Sequence, residues 1–534
     1  MNSEPGPFLT IDRGTASTAV ALIGRVGGRW RLLGATAGPA LVGPEALAER
    51  LRRRLQASSP GIVGVLGLER MGATDALPRL SSATVPPPEI AVVGATHRAV
   101  APLAAAARTS GWRVRSVALE GAQIAAVATS LADARVSAVL AGAGDPPGAD
   151  ERPLIGDLMA QVTAAAERRP DLTLVLTGSL AAAGGRYEVT LRPERPGATI
   201  VGPSPSQGGG ASLRRLLAGV RSGDDDGRQA LVAATSTLAD VLRRPVDLVE
   251  IGQSAGMRAV ADHAPGATAT ADASVIADAA LLPRGFTDSH LDAIIGWLTV
   301  SLDRLRVRDR LRENAVAPWG DVGEEGTALR LASARAALHR LVAATPHLDG
   351  RPTGIVVASG GVWSLAPSPV VALALADAVR QPGVRALGLD HARLLSPLGT
   401  IADAEERAEI MADLRDELVA PLGSVVMPAG LRSGRSLGRA HVRRAASTSS
   451  HELHPGAIER VELEPGERAV AELEFRDQVD LGVRTRRVAM EVVGGAAGLL
   501  IDLRDVPLRL PERSEPRRDL LAAWQHAVWP AGAA

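Results

Sequence analysis

An α/β chain closed by an all-β module is what this sequence predicts, and three observations carry the reading. Short runs of Val, Ile and Leu alternate with segments whose apolar residues recur at i, i+3 and i+4, as strands alternating with helices do. Two of the strand runs, 8–11 and 246–251, end in glycine turns, Asp12-Arg13-Gly14-Thr15-Ala16-Ser17-Thr18 and Gly252-Gln253-Ser254-Ala255-Gly256, which hints at a duplicated domain. Beyond residue 450 the helical spacing gives way to short β runs punctuated by Pro465-Gly466 and Gly494-Gly495.

In chain order, residues 8–11, 19–23 and 30–36 read as strands, the first two joined as a hairpin, followed by a helix at 44–55 and a buried strand at 61–66. Asp12, at the end of a strand, is placed to orient a hydrated Mg²⁺, and the amides and hydroxyls after Gly14 to hold phosphate oxygens; the same residue types also make a plain hairpin turn. Strands at 89–93, 114–119, 136–140 and 172–176 alternate with helices at 97–110 and 121–132. Two of them run into Ala141-Gly142-Ala143-Gly144-Asp145 and Thr177-Gly178-Ser179, the edge where α/β sheets hold ligands, though each is equally a tight turn. Residues 201–212, rich in Pro, Ser and Gly, and the acidic turn with Asp224, Asp225 and Asp226 are read as a boundary. A helix at 230–242 precedes the strand 246–251, where Glu250 stands as a second acid, and long helical patterns fill 287–312 and 327–344.

The stretch 353–375 joins a β-branched run to Ser359-Gly360-Gly361, after which Ser368 and Pro369 open a helix as cap and first helical residue. Paired glycines let the chain turn sharply and admit a flat ligand close to the backbone, and an ordinary crossover turn uses them as well. The stretch is uncharged and long enough to raise a membrane span, but Gly360, Gly361, Pro367 and Pro369 in its middle oppose one. A strand at 384–389, Leu394-Leu395-Ser396-Pro397-Leu398-Gly399 and a helix at 403–419 follow. Residues 430–450, with Arg432, Arg435, Arg439, Arg443 and Arg444 among Gly and Ser, read as a mobile linker before β runs at 458–463, 468–475, 486–493 and 498–503 and a helix at 516–528.

Composition removes whole classes of chemistry. The 534 residues contain no Cys, which excludes disulfides, zinc-thiolate sites, iron–sulfur clusters and Cys nucleophiles. Every basic side chain is Arg, so the lysine of a Walker-type P-loop and the Schiff base of a PLP enzyme are absent too. The 59 basic and 59 acidic residues balance, and aromatics make up 2%, which argues against nucleic acid as a main partner. The start, Met1-Asn2-Ser3-Glu4-Pro5, lacks a basic region followed by an apolar core, so a cytoplasmic protein with no membrane partner is expected. Of ten scattered histidines only His451 and His454 are close, and they are expected to be solvated rather than metal-binding.

These pieces in this order resemble the MutL-type family that includes the glutamate mutase-associated GlmL proteins, which is unrelated to mismatch repair and similar to the actin, Hsp70 and sugar-kinase ATPases. The resemblance spans most of the chain, and its most specific parts are Ser359-Gly360-Gly361 with Leu395-Ser396-Pro397-Leu398-Gly399, and Ile501-Asp502-Leu503-Arg504-Asp505-Val506-Pro507-Leu508. It implies two RNase H-like (actin-like ATPase) lobes, at 1–212 and 213–429, ahead of the linker at 430–450 and the C-terminal all-β module at 451–534 that composition and the β runs suggest. It implies ATP or ADP with Mg²⁺, placing the metal on Asp12, catalytic roles on Asp12 and Glu250, phosphate on Gly14, Thr15, Ser17 and Gly252, and adenosine beside Gly360 and Gly361.

Where the family's first turn ends in Lys this chain has Ala19, and its second phosphate turn, reading D-x-G-G-A-T-T-D, falls on Glu250-Ile251-Gly252-Gln253-Ser254-Ala255-Gly256-Met257. Lost hydroxyls and a lost acid lead us to expect a weak ATPase or pseudo-ATPase, an accessory protein whose partner is, by resemblance, an adenosylcobalamin-dependent mutase. A non-catalytic scaffold that has lost nucleotide is the alternative. A sugar or metabolite kinase ranks third, because the sequence offers no base for a substrate hydroxyl.

Overall fold

β1 (Phe8–Arg13) and β2 (Ser17–Val26) form the antiparallel hairpin that their apolar runs predict, and β3 (Arg29–Pro39) pairs with the far side of β2. The helix Pro44–Ser58 lays Leu47, Ala48, Leu51 and Leu55 on Leu9, Ile11, Val20 and Leu22, its i, i+3, i+4 stripe meeting the apolar face of the hairpin. β4 (Arg79–Ala83) lies parallel to β1, giving the order β3-β2-β1-β4. This computed structural model describes residues 6–61, 77–121, 124–184, 199–205, 209–221, 226–283, 286–320, 323–351, 353–432 and 436–530. Most of the expected strand at 61–66, and Asp224 and Asp225 of the acidic turn, lie outside the described residues.

The chain divides into two compact units, one of residues 1–84, 226–273 and 279–534, the other of 85–225 and 274–278. The boundary expected between 212 and 213 falls inside the second unit.

In the second unit, β5 (Glu89–Gly94), β6 (Arg113–Ala118), β7 (Val136–Ala143), β8 (Thr173–Gly178) and β9 (Thr199–Gly202) form an all-parallel sheet in the order β6-β5-β7-β8-β9. Apolar cores cover both faces, one including Val127, Leu131, Leu158 and Val162 and the other Val100, Leu103, Leu213 and Leu217, as a doubly wound sheet requires. After β7, the buried Glu151 accepts hydrogen bonds from the amides of Gly144 and Gly148, both at 3.0 Å, and from Thr96 Oγ1 at 3.2 Å.

A second sheet, in the first unit except for residues 274–276, is built from β10 (Val246–Ile251), β11 (Gly256–Ala261), β12 (Ala271–Ile276), β13 (Ile355–Ser359), β14 (Gly383–Leu389) and β15 (Ala420–Met427). β10 is antiparallel to β11 and parallel to β13, and β12-β11-β10-β13 repeats the order of β3-β2-β1-β4. The duplication hinted at by the two glycine turns is therefore present in the strand order. The mixed α/β architecture and its β-rich C-terminal region agree with the expected fold class.

Three expectations need correction. The long helix at 287–312 is two helices, Asp288–Ile295 and Arg304–Val316, because Gly296 ends the first and the Asp303 carboxylate caps the amides of Leu305 and Arg306 to start the second. The stretch 430–450 is not simply a linker: β16 (Gly438–Arg443) lies in it and β17 (Thr448–Leu453) begins in it, while β16 also pairs with β19 (Arg468–Asp480). Ala440 and Val442 are buried between Arg439, His441 and Arg443, a period of two concealed by the basic residues. The β module is not wholly separate either. β17-β16-β19 with β20 (Arg484–Val493) make a four-stranded sheet, but β18 (Ile458–Val461) and β21 (Leu499–Asp502) extend the large sheet beyond β15.

The segment after β21 is tied down by charge. Arg504 reaches Asp502 Oδ2 at 2.6 Å and Asp377 Oδ1 at 2.6 Å, Arg380 holds Asp502 at 2.7 Å, and Arg335 also pairs with Asp377. All five are almost fully buried, and the guanidinium of Arg504 lies 4.6 Å over the ring of Trp524. One of the two most specific parts of the sequence resemblance, Ile501 to Leu508, therefore carries a structural ion network. No helix among the described residues is long and apolar enough to cross a membrane.

Candidate functional site

The two repeated hairpins put their turns on one cavity. Asp12 pairs across β1–β2 with Ala19, and Glu250 pairs across β10–β11 with Met257, so Asp12 and Glu250 hold equivalent positions, as do Gly14 and Gly252. Both turns close alike: Gly14 N donates to Ser17 O at 2.9 Å, and Gly252 N to Ala255 O at 2.9 Å.

Between them comes the turn after β13. Gly360 has φ of 106°, where a side chain is strained, and a Cβ there would lie 2.4 Å from Ile251 O. A Cβ on Gly361 would lie 2.3 Å from Ser17 Oγ. The paired glycines thus let this turn pass between the two hairpins, one against β10 and the other against the start of β2. Asp12, Gly14, Thr15, Ser17, Glu250, Gly252, Gly360 and Gly361, every site residue expected from sequence, line one cavity of about 70 Å³.

Arg393, which the sequence reading missed, organises the site. Its Nε donates to Asp12 Oδ2 at 2.6 Å and its Nη1 to Ser17 Oγ at 2.7 Å, while Ser82 Oγ donates to Asp12 Oδ1 at 3.1 Å. Arg393 is 5% exposed and has φ of 57°, a left-handed conformation that costs a non-glycine residue about 1–3 kcal/mol and persists only where its surroundings fix it. No local signal marks Arg393 in sequence. It sits two residues before the recognised Leu395-Ser396-Pro397-Leu398-Gly399, and its partner lies 381 positions away.

Asp390 was missed too. Buried and accepting from Leu394 N at 2.9 Å and Ser359 Oγ at 3.0 Å, it has its pKa pushed up to about 6, first by desolvation and, more weakly, by the nearby charge of Asp12.

Arg228 and Arg330 also line the cavity, together with Arg393 and the carboxylates of Asp12 and Glu250. The first turn of the helix Asp226–Leu242 contributes Gly227, adding the positive end of a helix dipole. This balance suits a phosphoryl group. It does not suit a divalent cation bound directly by Asp12, whose carboxylate is already held by a guanidinium and a hydroxyl. Among the described residues no group of three or more His, Cys, Asp or Glu could hold a metal ion.

No protein-family model matches the chain, and no curated protein matches it. Several solved structures are similar at low scores. Component A of the Acidaminococcus fermentans (R)-2-hydroxyglutaryl-CoA dehydratase shares 10% identity at a TM-score of 0.27, covering 76% of this chain and 99% of that one. A nucleotide-free acetone carboxylase shares 12% at 0.27, covering 84% and 80%, and a PilM–PilN type IV pilus biogenesis complex shares 13% at 0.20, covering 76% and 98%. The repeated strand order is a property of this chain itself.

Proposed function

We propose that this chain is an actin-like nucleotide-binding accessory protein in which Arg393 takes over the charge role of a directly bound cation, so that any ATP hydrolysis is slow or absent. On this reading its two RNase H-like lobes meet at the cavity between the glycine turns. The observation that carries the proposal is the guanidinium of Arg393 seated on Asp12 and Ser17, within a turn whose equivalent across the repeat bears Glu250 and Ala255.

Phosphate would be held by the amides and hydroxyls of Gly14, Thr15 and Ser17 and by Arg393, with Gly252 opposite and the nucleoside against Gly360 and Gly361. Asp12 orients Arg393 in this scheme and does not touch phosphate itself. Mg²⁺, when it accompanies a nucleotide, would supply charge to the phosphates without a bond to the Asp12 carboxylate, which Arg393 and Ser82 already hold.

The test is calorimetric titration with ADP and ATP, each with Mg²⁺ and with excess chelator, beside a phosphate-release assay. The expected result is weak binding that changes less than about ten-fold on chelation, without multiple turnovers, and that is lost in Gly361→Trp. Tight, strictly Mg²⁺-dependent binding with turnover would defeat the proposal. One observation favours the scaffold reading instead: at about 70 Å³ the cavity is far smaller than the roughly 300 Å³ at which ligand pockets begin, so a nucleotide does not fit it as it stands. Absence of all nucleotide binding would establish that second reading. An adenosylcobalamin-dependent mutase as partner is supported by the sequence resemblance, and co-purification with such an enzyme tests it.

A further inference from the structure

Beside the phosphate turn lies a larger cavity, of about 680 Å³, that shares Trp319 and Gly360 with the smaller one. β3 lines it with Ala35 and Ala37, small residues that leave space, and the segments after β13 and β14 line it with Trp363, Ser364 and Asp390. Trp363 is 2% exposed, yet its indole Nε1–H, a donor only, finds no acceptor among the described residues. Buried indole donors ordinarily have one. Asp390 is equally buried, and each of its oxygens accepts a single protein hydrogen bond, which leaves lone pairs for a further donor. The chain has only seven Trp, and two of them stand in the wall of this cavity.

An indole donor, a carboxylate acceptor and flat aromatic surface together match a molecule with an apolar C–H face and hydroxyls at its edge. We propose that this cavity binds a small hydroxyl-bearing ring compound of the sugar or cyclic polyol class, with a hydroxyl accepting from Trp363 Nε1 and another donating to Asp390. An anion is disfavoured by the carboxylate, and a cation by Arg54, which also lines the cavity. Because burial raises the pKa of Asp390 to about 6, its acceptor role is lost as pH falls below that value, and affinity falls with it.

The inference uses no residue of the phosphate turn and stands or falls separately from the nucleotide reading. Saturation-transfer NMR on the full chain without nucleotide, with D-glucose, D-ribose and myo-inositol as probes, tests it. At least one probe is expected to give a signal that weakens about ten-fold in affinity in Trp363→Phe, which keeps an aromatic ring and removes the donor, and weakens at least as much in Ala35→Trp, which puts a bulky ring in place of a small residue of the cavity wall. Circular dichroism of both variants checks that the fold is kept. No signal from any probe on the unsubstituted chain, or a signal that either substitution leaves unweakened in a folded variant, overturns the proposal.

Discussion

In the β1–β2 turn, the carboxylate two residues before the glycine is Asp12, locked by Arg393 and Ser82; in the β10–β11 turn the equivalent carboxylate is Glu250, lying so close to Gly252 that a Cβ there would meet its Oε1 at 2.8 Å. Position for position, Ser17 answers to Ala255 and Ala19 to Met257, and both Ala255 and Met257 are fully buried. The backbones agree to the same 2.9 Å closing hydrogen bond. What the repeat preserves is the turn and what it does not preserve is the polar chemistry, so duplication of a fold is separable from duplication of a site.

The hardest way to break the comparison is to remove the cation from the first turn. Arg393→Ala leaves Asp12, whose side chain is 12% exposed, without its charge partner, a change that typically costs about 3–5 kcal/mol. Urea unfolding of Arg393→Ala, Asp12→Ala and the double variant should show the double losing clearly less than the sum of the singles. Additive losses would mean that the ion pair does not hold the turn.

Gly360 and Gly252 sharpen it next. Alanine at Gly360 combines a left-handed φ with an approach of 2.4 Å to the Ile251 carbonyl, neither of which can give, and should cost about 3 kcal/mol. Alanine at Gly252 meets the end of the Glu250 side chain at 2.8 Å and the Ala255 carbonyl at 3.1 Å, without a positive φ, and should cost less, about 1–2 kcal/mol. Thermal melts of the two variants side by side measure the difference, and equal losses would refute this account of the turns.

Acidity reaches the first turn through Asp390, which the charge of Asp12 helps to hold protonated. Asp390 has a folded-state pKa of about 6 against an ordinary 3.8, so the folded chain holds this proton more tightly than the unfolded one. Its contribution to stability is therefore least favourable above about pH 6 and improves as pH falls towards about 4, by about 3 kcal/mol for a shift of roughly 2 units. Asp390→Asn should flatten that part of the stability profile, which denaturant titrations at several pH values between 4 and 7 would reveal. A profile identical in both proteins would remove Asp390 from the account.

How much of this was legible follows from which interactions are local. The first hairpin, the two glycine turns and the helix Pro44–Ser58 were readable because period-two and helical spacing are properties of a few consecutive residues, whereas β4, β11 and β12, and with them the repeated strand order, were not. The alternation of β16 was hidden because Arg439, His441 and Arg443 look solvated until Ala440 and Val442 are seen to pack inward. The extension of the large sheet by β18 and β21 was out of reach, since a strand's neighbours are not written in the strand. The same limit explains the site. Asp12 and Gly361 announce themselves by residue type in a turn, whereas Arg393 and Asp390 acquire meaning only from partners brought in by the fold.

The finest distinction between the turns is a single hydroxyl. Ser17 Oγ accepts from Arg393 Nη1 at 2.7 Å and sits where Gly361 passes closest, while Ala255 at the equivalent place offers no such acceptor. A hydrogen bond to a charged group contributes about 1.5–3 kcal/mol, and the guanidinium keeps its Asp12 contact in Ser17→Ala, so the loss should lie near the lower end, about 1.5 kcal/mol. The companion change Ala255→Ser adds a hydroxyl with no guanidinium to receive and should not stabilise the chain. If Arg393 and Ser17 hold phosphate together, Ser17→Ala should also weaken ADP binding by about ten-fold, read by calorimetry, with Ala255→Ser unchanged. Equal effects of the two substitutions on stability and on ADP would mean that the hydroxyl at Ser17 has no role that its counterpart lacks, and the asymmetry between the turns would then rest on Arg393 and Asp12 alone.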